Sequence, residues 1–191
     1  MMKLRTIVTL SLLAPLYLAN PVKASSFAAP PQLNIQSNSN PSTLIAQSSW
    51  KKVSSSVGKF TVNMPGTPQE ETGKEKDGSV SSSYTLKSDS GYYRVGYFDL
   101  SELGKLTPDQ VNQLLELAPS KFVESTGAKL SGIRNITLAG NPGKEFNFGI
   151  NPQIVGKGRV YVSNNKLYLL VVVTPEPANV ENFFNSFRLI A

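Results

Sequence analysis

The sequence predicts an α+β fold in which an antiparallel sheet is flanked by helices on both faces. Three observations predict it. Leu167, Leu169, Val171 and Val173 alternate with Tyr168, Leu170 and Val172, so one strand is apolar on both sides and needs a covering layer on each. Thr107-Pro108-Asp109-Gln110 is a dense helix start, followed by Val111, Leu114, Leu115, Ala118 and Phe122 on one helical face. A last segment, 177–186, places Val180, Phe183, Phe184 and Phe187 at the same spacing. With most other segments reading as strands, helices are the only material left for the two layers.

The elements follow in order. Trp50 opens the domain as a core anchor. Phe60-Thr61-Val62-Asn63-Met64 alternates apolar and polar residues and stops at Pro65-Gly66, the mark of a short strand ended by a turn. Strands at 79–88 and 92–100 are joined by Asp89-Ser90-Gly91 and form a hairpin. In the first helix Thr107 caps, Pro108 fits the first position, and Gly127 closes the far end in a left-handed conformation. Pro119 lacks an amide hydrogen and predicts a kink or a break into two short helices. Strands at 129–138, 144–148, 158–163 and 166–174 complete the sheet, with turns at Gly140-Asn141-Pro142-Gly143 and Asn164-Asn165.

Residues 1–24 read as an export signal. Lys3 and Arg5 precede an apolar run from Ile7 to Ala19 that is too short for a membrane span, and Val22-Lys23-Ala24 offers a small-x-small cleavage site. Residues 25–49 carry no charge and few apolar side chains, which predicts a flexible Ser, Pro and Asn-rich leader; the domain is 50–191. Removing the signal takes three of 19 basic residues and none of the 13 acids, so the net charge falls from +6 to +3. The remaining cations are scattered rather than striped, and nucleic acid is set aside as a partner. The mature chain is expected to have no transmembrane helix.

Composition excludes several chemistries. The chain has no cysteine, hence no disulfide framework and no lipid-modified thiol, and no histidine, hence no histidine-dependent triad. No catalytic, cofactor or metal residue is assigned. Glu70, Glu71, Glu75 and Asp77 supply oxygen ligands of the type calcium takes, but Lys74 and Lys76 interleave with them and the spacing is not that of an EF-hand, so a solvated hairpin loop is expected. Asp99 and Glu102 follow a strand with no partner placed beside them. Glu145 and Arg159 each lie in an otherwise apolar strand and form a structural ion-pair candidate. The segment 149–156 reads either as a partner-contacting loop carrying Ile150, Ile154 and Val155, or as an extension of the strand in which Ile154 and Val155 pack.

Gly58-Lys59-Phe60-Thr61-Val62, Met64-Pro65-Gly66-Thr67-Pro68, Gly140-Asn141-Pro142-Gly143-Lys144-Glu145-Phe146, Asn165-Lys166-Leu167-Tyr168-Leu169 and Asn185-Ser186-Phe187 resemble PsbP-type proteins and their bacterial relatives, found mostly in cyanobacteria. The resemblance spans the chain from about Trp50 onward. It implies an α/β/α sandwich in the thylakoid lumen or periplasm and a role like that of PsbP, an extrinsic subunit supporting the oxygen-evolving complex of photosystem II. The histidines of plant PsbP and the lipid-attachment cysteine of the cyanobacterial form are missing, so neither a metal role nor a lipid anchor carries over.

The expected function is thus an exported, non-catalytic accessory protein with a protein partner in a membrane-associated complex. Two alternatives compete with it. A periplasmic small-ligand or cell-envelope binding domain would be supported by a cavity lined by Tyr92, Tyr93 and Tyr97. A carboxylate- or lysine-dependent hydrolase requires two titratable groups converging in one cleft.

Overall fold

A computed structural model describes residues 50–74 and 80–190. The predicted signal and leader, and Glu75 and Asp77, lie outside the described residues. Ten strands are described: β1 (Lys51–Ser55), β2 (Phe60–Met64), β3 (Gln69–Lys74), β4 (Val80–Ser88), β5 (Gly91–Asp99), β6 (Lys129–Leu138), β7 (Asn141–Asn151), β8 (Ile154–Ser163), β9 (Lys166–Val173) and β10 (Arg188–Leu189). Helix α1 is Pro108–Thr126 and helix α2 is Pro177–Ser186. Seven strands pair antiparallel in the order β3-β4-β5-β9-β8-β7-β6, and β1-β2-β10 form a separate small sheet.

Two apolar cores lie on opposite faces of the large sheet. On one, Leu115, Ala118 and Phe122 of α1 pack on Phe146, Phe148, Val160 and Leu169. On the other, Phe60, Val62 and Met64 of β2 are fully buried against Tyr93, Val95, Tyr168 and Leu170, with Phe183 and Phe184 of α2 alongside.

This corrects the expected sandwich of helices on both faces. Strands take 55% of the described residues. The second face is covered mainly by the β1-β2-β10 sheet, with the ten-residue α2 beside it. The expectation failed because β1 offers only Val53 as an apolar residue, and β10 is two residues long. Neither shows the alternation that announces a strand, although backbone pairing to β2 suffices to form both.

Local physics accounts for the rest. Helix α1 begins in a capping box: Thr107 Oγ1 accepts from the Gln110 amide at 3.3 Å, and Gln110 Oε1 accepts from the Thr107 amide at 2.8 Å. Gly127, at φ 67°, ends it. Of the expected kink or break at Pro119, the break is absent: α1 runs through it as one helix, with the Pro119 ring buried beside Ala118 on the core-facing side. The β6–β7 turn is Ala139-Gly140, both at positive φ, two residues tighter than the sequence suggests, and Asn164-Asn165 makes the same kind of turn between β8 and β9. Glycine faces an aromatic ring three times across the β7–β8 pairing: Gly143 opposite Tyr161, Gly158 opposite Phe146 and Gly156 opposite Phe148. A Cβ at Gly143, Gly156 or Gly158 would collide with the opposing ring.

Candidate functional site

The wing formed by β6, β7 and β8 carries a row of charge on the face that also holds α2. Antiparallel register sets Arg134 opposite Glu145 and Glu145 opposite Arg159, so cation, carboxylate and cation lie side by side on three adjacent strands. Glu145 is buried, 5% exposed. Its Oε1 accepts from Arg134 Nε at 3.0 Å and Nη2 at 2.7 Å, and its Oε2 accepts from Arg159 Nε at 2.7 Å. Lys157 Nζ stands 3.7 Å from Glu145 Oε1 and 3.9 Å from Glu181 Oε1 of α2. The Arg159 guanidinium lies over the Phe184 ring, 4.4 Å from its centre.

Burial raises the Glu145 pKa, but the hydrogen bonds from Arg159 and Arg134 and the charges of Arg159 and Lys157 outweigh it. The carboxyl is held below its ordinary value and stays ionised. A carboxylate saturated by two guanidiniums is a poor proton carrier and a good anchor for three strands.

Arg134 and Lys157 were not legible as partners of Glu145. Arg134 follows from counting back from the turn, provided the turn is set at Ala139-Gly140; setting it at 140–143 moves Arg134 out of line. Lys157 is two residues from Arg159 and therefore on the same face of β8.

Of the two readings of this segment, the strands take most of it: Ile150 lies near the end of β7 and Ile154 and Val155 begin β8, so the segment is the tip of a hairpin. The Asn151 carboxamide oxygen accepts from the Gln153 and Ile154 amides at 3.0 and 2.9 Å and fixes its turn. Val155 is 65% exposed. Beside it, between β7, β8 and the start of α2, runs a groove of about 400 Å³ lined by Asn147, Val155, Lys157, Val172, Pro177 and Val180, among others.

Asp99, Glu102, Glu70 and Glu71 lie on other elements than this row. Asp99 accepts from Lys166 Nζ at 2.5 Å and from the Ser101 amide at 3.0 Å. Glu102 sits in the exposed turn that follows, in the short 3-10 segment Ser101–Leu103. Glu70 and Glu71 belong to β3 rather than to a loop, and Glu70 Oε1 accepts from the Tyr84 hydroxyl at 2.6 Å. Among the described residues no three acidic side chains gather as metal ligands. The tyrosines do not line one cavity: Tyr93 and Tyr97 enter the core under β2, Tyr92 the core under α1. Only Tyr92 among them borders the separate cavity of about 290 Å³ between Gln69, Glu71, Thr85 and Lys87.

Two antiparallel sheets, with α1 across one face and α2 at the edge of the other, form a PsbP-like fold. The solution structure of cyanobacterial PsbP (CyanoP) from Synechocystis sp. PCC 6803 is similar with a TM-score of 0.50 at 14% identity, over 74% of this chain and 93% of that one. A Pseudomonas aeruginosa protein of unknown function is similar with a TM-score of 0.34 at 12% identity, over 69% of this chain and 85% of that one. A Bacteroides thetaiotaomicron protein has a TM-score of 0.33 at 14% identity, over 74% of this chain and 48% of that one. No family model and no curated protein matches the chain. Among the described residues no helix is long and apolar enough to cross a membrane.

Proposed function

We propose that this chain is an exported, non-catalytic accessory protein that binds a membrane-associated complex of the photosystem II type. The PsbP-like fold carries the reading. The wing site supports it, because its central carboxylate is locked between two guanidiniums while Lys157, ion-paired but without a hydrogen bond to either acid, and the exposed Val155 border an open groove. The export signal read in residues 1–24 supplies the compartment, periplasm or thylakoid lumen.

The test is affinity capture of the tagged full-length protein from fractionated, cross-linked cells of a photosynthetic host, with the N-terminus of the captured chain read by mass spectrometry. The expected result is a chain beginning at Ser25 and recovered with photosystem II subunits. A chain retaining residues 1–24 in the soluble cytoplasmic fraction, or a cross-linked product without any membrane-complex subunit, overturns it.

A second reading, a small-ligand binding domain of the cell envelope, draws on the 290 Å³ cavity beside Tyr92. It predicts a ligand whose binding is lost in Tyr92→Ala and unaffected by changes at Lys157.

A further inference from the structure

We propose that the groove between the β7–β8 hairpin and α2 receives an extended segment of a partner protein in which an acidic side chain is flanked by branched apolar ones. This deepens the accessory-protein reading and rests on it.

Three observations converge on that occupant. The first is an uncovered piece of sheet. β7 is paired on both sides, yet Asn147 on its α2-side face is exposed, and Val155 on the neighbouring strand is 65% exposed. The small sheet and α2 stop short of this corner.

The second is charge. Arg134, Lys157 and Arg159 face the carboxylates of Glu145 and Glu181, three cations against two acids. Arg134 and Arg159 already hold both Glu145 oxygens. Lys157 borders the groove with 29% of its side chain exposed, and both of its acidic neighbours lie beyond hydrogen-bond reach, at 3.7 and 3.9 Å. Lys157 is thus ion-paired to both acids but hydrogen-bonded to neither, so its ammonium can donate to an incoming carboxylate, and the added negative charge balances the cluster of three cations and two acids. A charge-assisted bond of this kind, made at the edge of an apolar surface, is stronger than one in open water.

The third is shape. Val155, Val172, Pro177 and Val180 offer branched and ring surfaces on either side of Lys157, and about 400 Å³ holds two or three side chains. With Val155 standing out on the rim, an occupant must cover the rim as well as the floor. A protein segment does so; a small molecule sunk in the groove leaves the rim wet.

The test uses the purified full-length protein and a fluorescein-labelled hexapeptide, Gly-Val-Asp-Leu-Val-Gly, with its Asn-for-Asp counterpart and decanoate as comparators. The expected result is saturable binding, at least tenfold tighter for the Asp peptide than for the Asn peptide. Amide shifts in the nuclear magnetic resonance spectrum should centre on Val155, Lys157 and Val180. Lys157→Gln should erase the difference between the peptides, and Val155→Asp, at an exposed position that keeps the fold, should weaken the Asp peptide at least tenfold. Equal affinity for both peptides, shifts centred elsewhere, or no saturation at millimolar peptide overturns the proposal. Decanoate binding through Lys157 while the peptide fails to bind overturns it in favour of a small amphipathic acid. Capture of the membrane complex by wild type and by both variants alike also rejects the groove while leaving the accessory role intact; peptide binding without complex capture does the reverse.

Discussion

Arg159 donates from Nε to Oε2 of Glu145 at 2.7 Å across the β7–β8 pairing, and only 14% of the Arg159 side chain is exposed. The pair is therefore a structural element of the sheet. Arg134, which reaches the other Glu145 oxygen, has 67% of its side chain in solvent.

That asymmetry fixes the cost of breaking the row. Glu145→Ala leaves Arg159 buried without its counter-ion and should cost about 3 kcal/mol. Arg134→Ala removes an exposed partner and should cost less than about 1 kcal/mol. Urea midpoints at unchanged slope measure both; equal losses would show that burial does not govern the row.

The same carboxylate gives an acid limb to stability. Its pKa in the folded chain lies below the ordinary 4.5, so the unfolded state takes up the proton first as the pH falls. The stabilisation is complete above about pH 4.5 and is lost as pH falls toward the folded-state value. Glu145→Gln should flatten this limb in part only, since the Asp99 pKa is lowered too, burial there being outweighed by hydrogen bonds from Lys166 and Ser101.

At the alkaline end Tyr168 acts in the opposite sense. Burial, with smaller contributions from the Asp99 and Tyr97 charges, pushes its pKa from 10.0 up to about 12. The unfolded chain loses the phenol proton first, so stability falls as pH rises from about 10 to about 12. Tyr168→Phe should remove this part of the decline, and its tyrosinate absorbance should lack the latest-titrating component of wild type.

The glycine–aromatic pairs predict a position-specific intolerance. Gly158→Val drives a side chain into the Phe146 ring and should cost about 3 kcal/mol. Gly149→Ala, whose new Cβ would meet nothing nearer than 3.7 Å, should cost less than about 1 kcal/mol. Thermal melts of the two variants side by side decide it.

Within α1, Leu115 is 3% exposed, and Leu115→Ala should cost about 2–5 kcal/mol, with Leu115→Asp unfolding the domain. Pro119→Ala should be neutral to mildly stabilising. It restores a helical hydrogen bond, for a helix penalty of about 3 kcal/mol relieved, and gives up part of the buried ring.

Helix α1 was legible because its signals are local: a capping box at one end, a glycine at the other and an apolar stripe between. β9 was legible for a similar reason, since two interleaved apolar rows need no knowledge of the rest of the chain. β3 was not, because all six of its residues are exposed and its pairing to β4 is made by the backbone. The fold class failed on the same account: β1 and β10 are edge strands recruited by β2, and their sequences carry little of the pattern. At the site, Glu145 and Arg159 stood out as charges in apolar strands. Arg134 did not, because β6 is an edge strand where a charge is ordinary.

β9 lies between β5 and β8 and faces both cores, giving Tyr168, Leu170 and Val172 to one and Leu167, Leu169 and Val171 to the other. Neither core can therefore loosen alone, because the strand that closes one is the floor of the other. With β5 and β8 beside it also giving side chains to both cores, a lesion under α1 is transmitted to the β1-β2-β10 side through this shared wall, and the domain should melt in one cooperative step whichever side is struck.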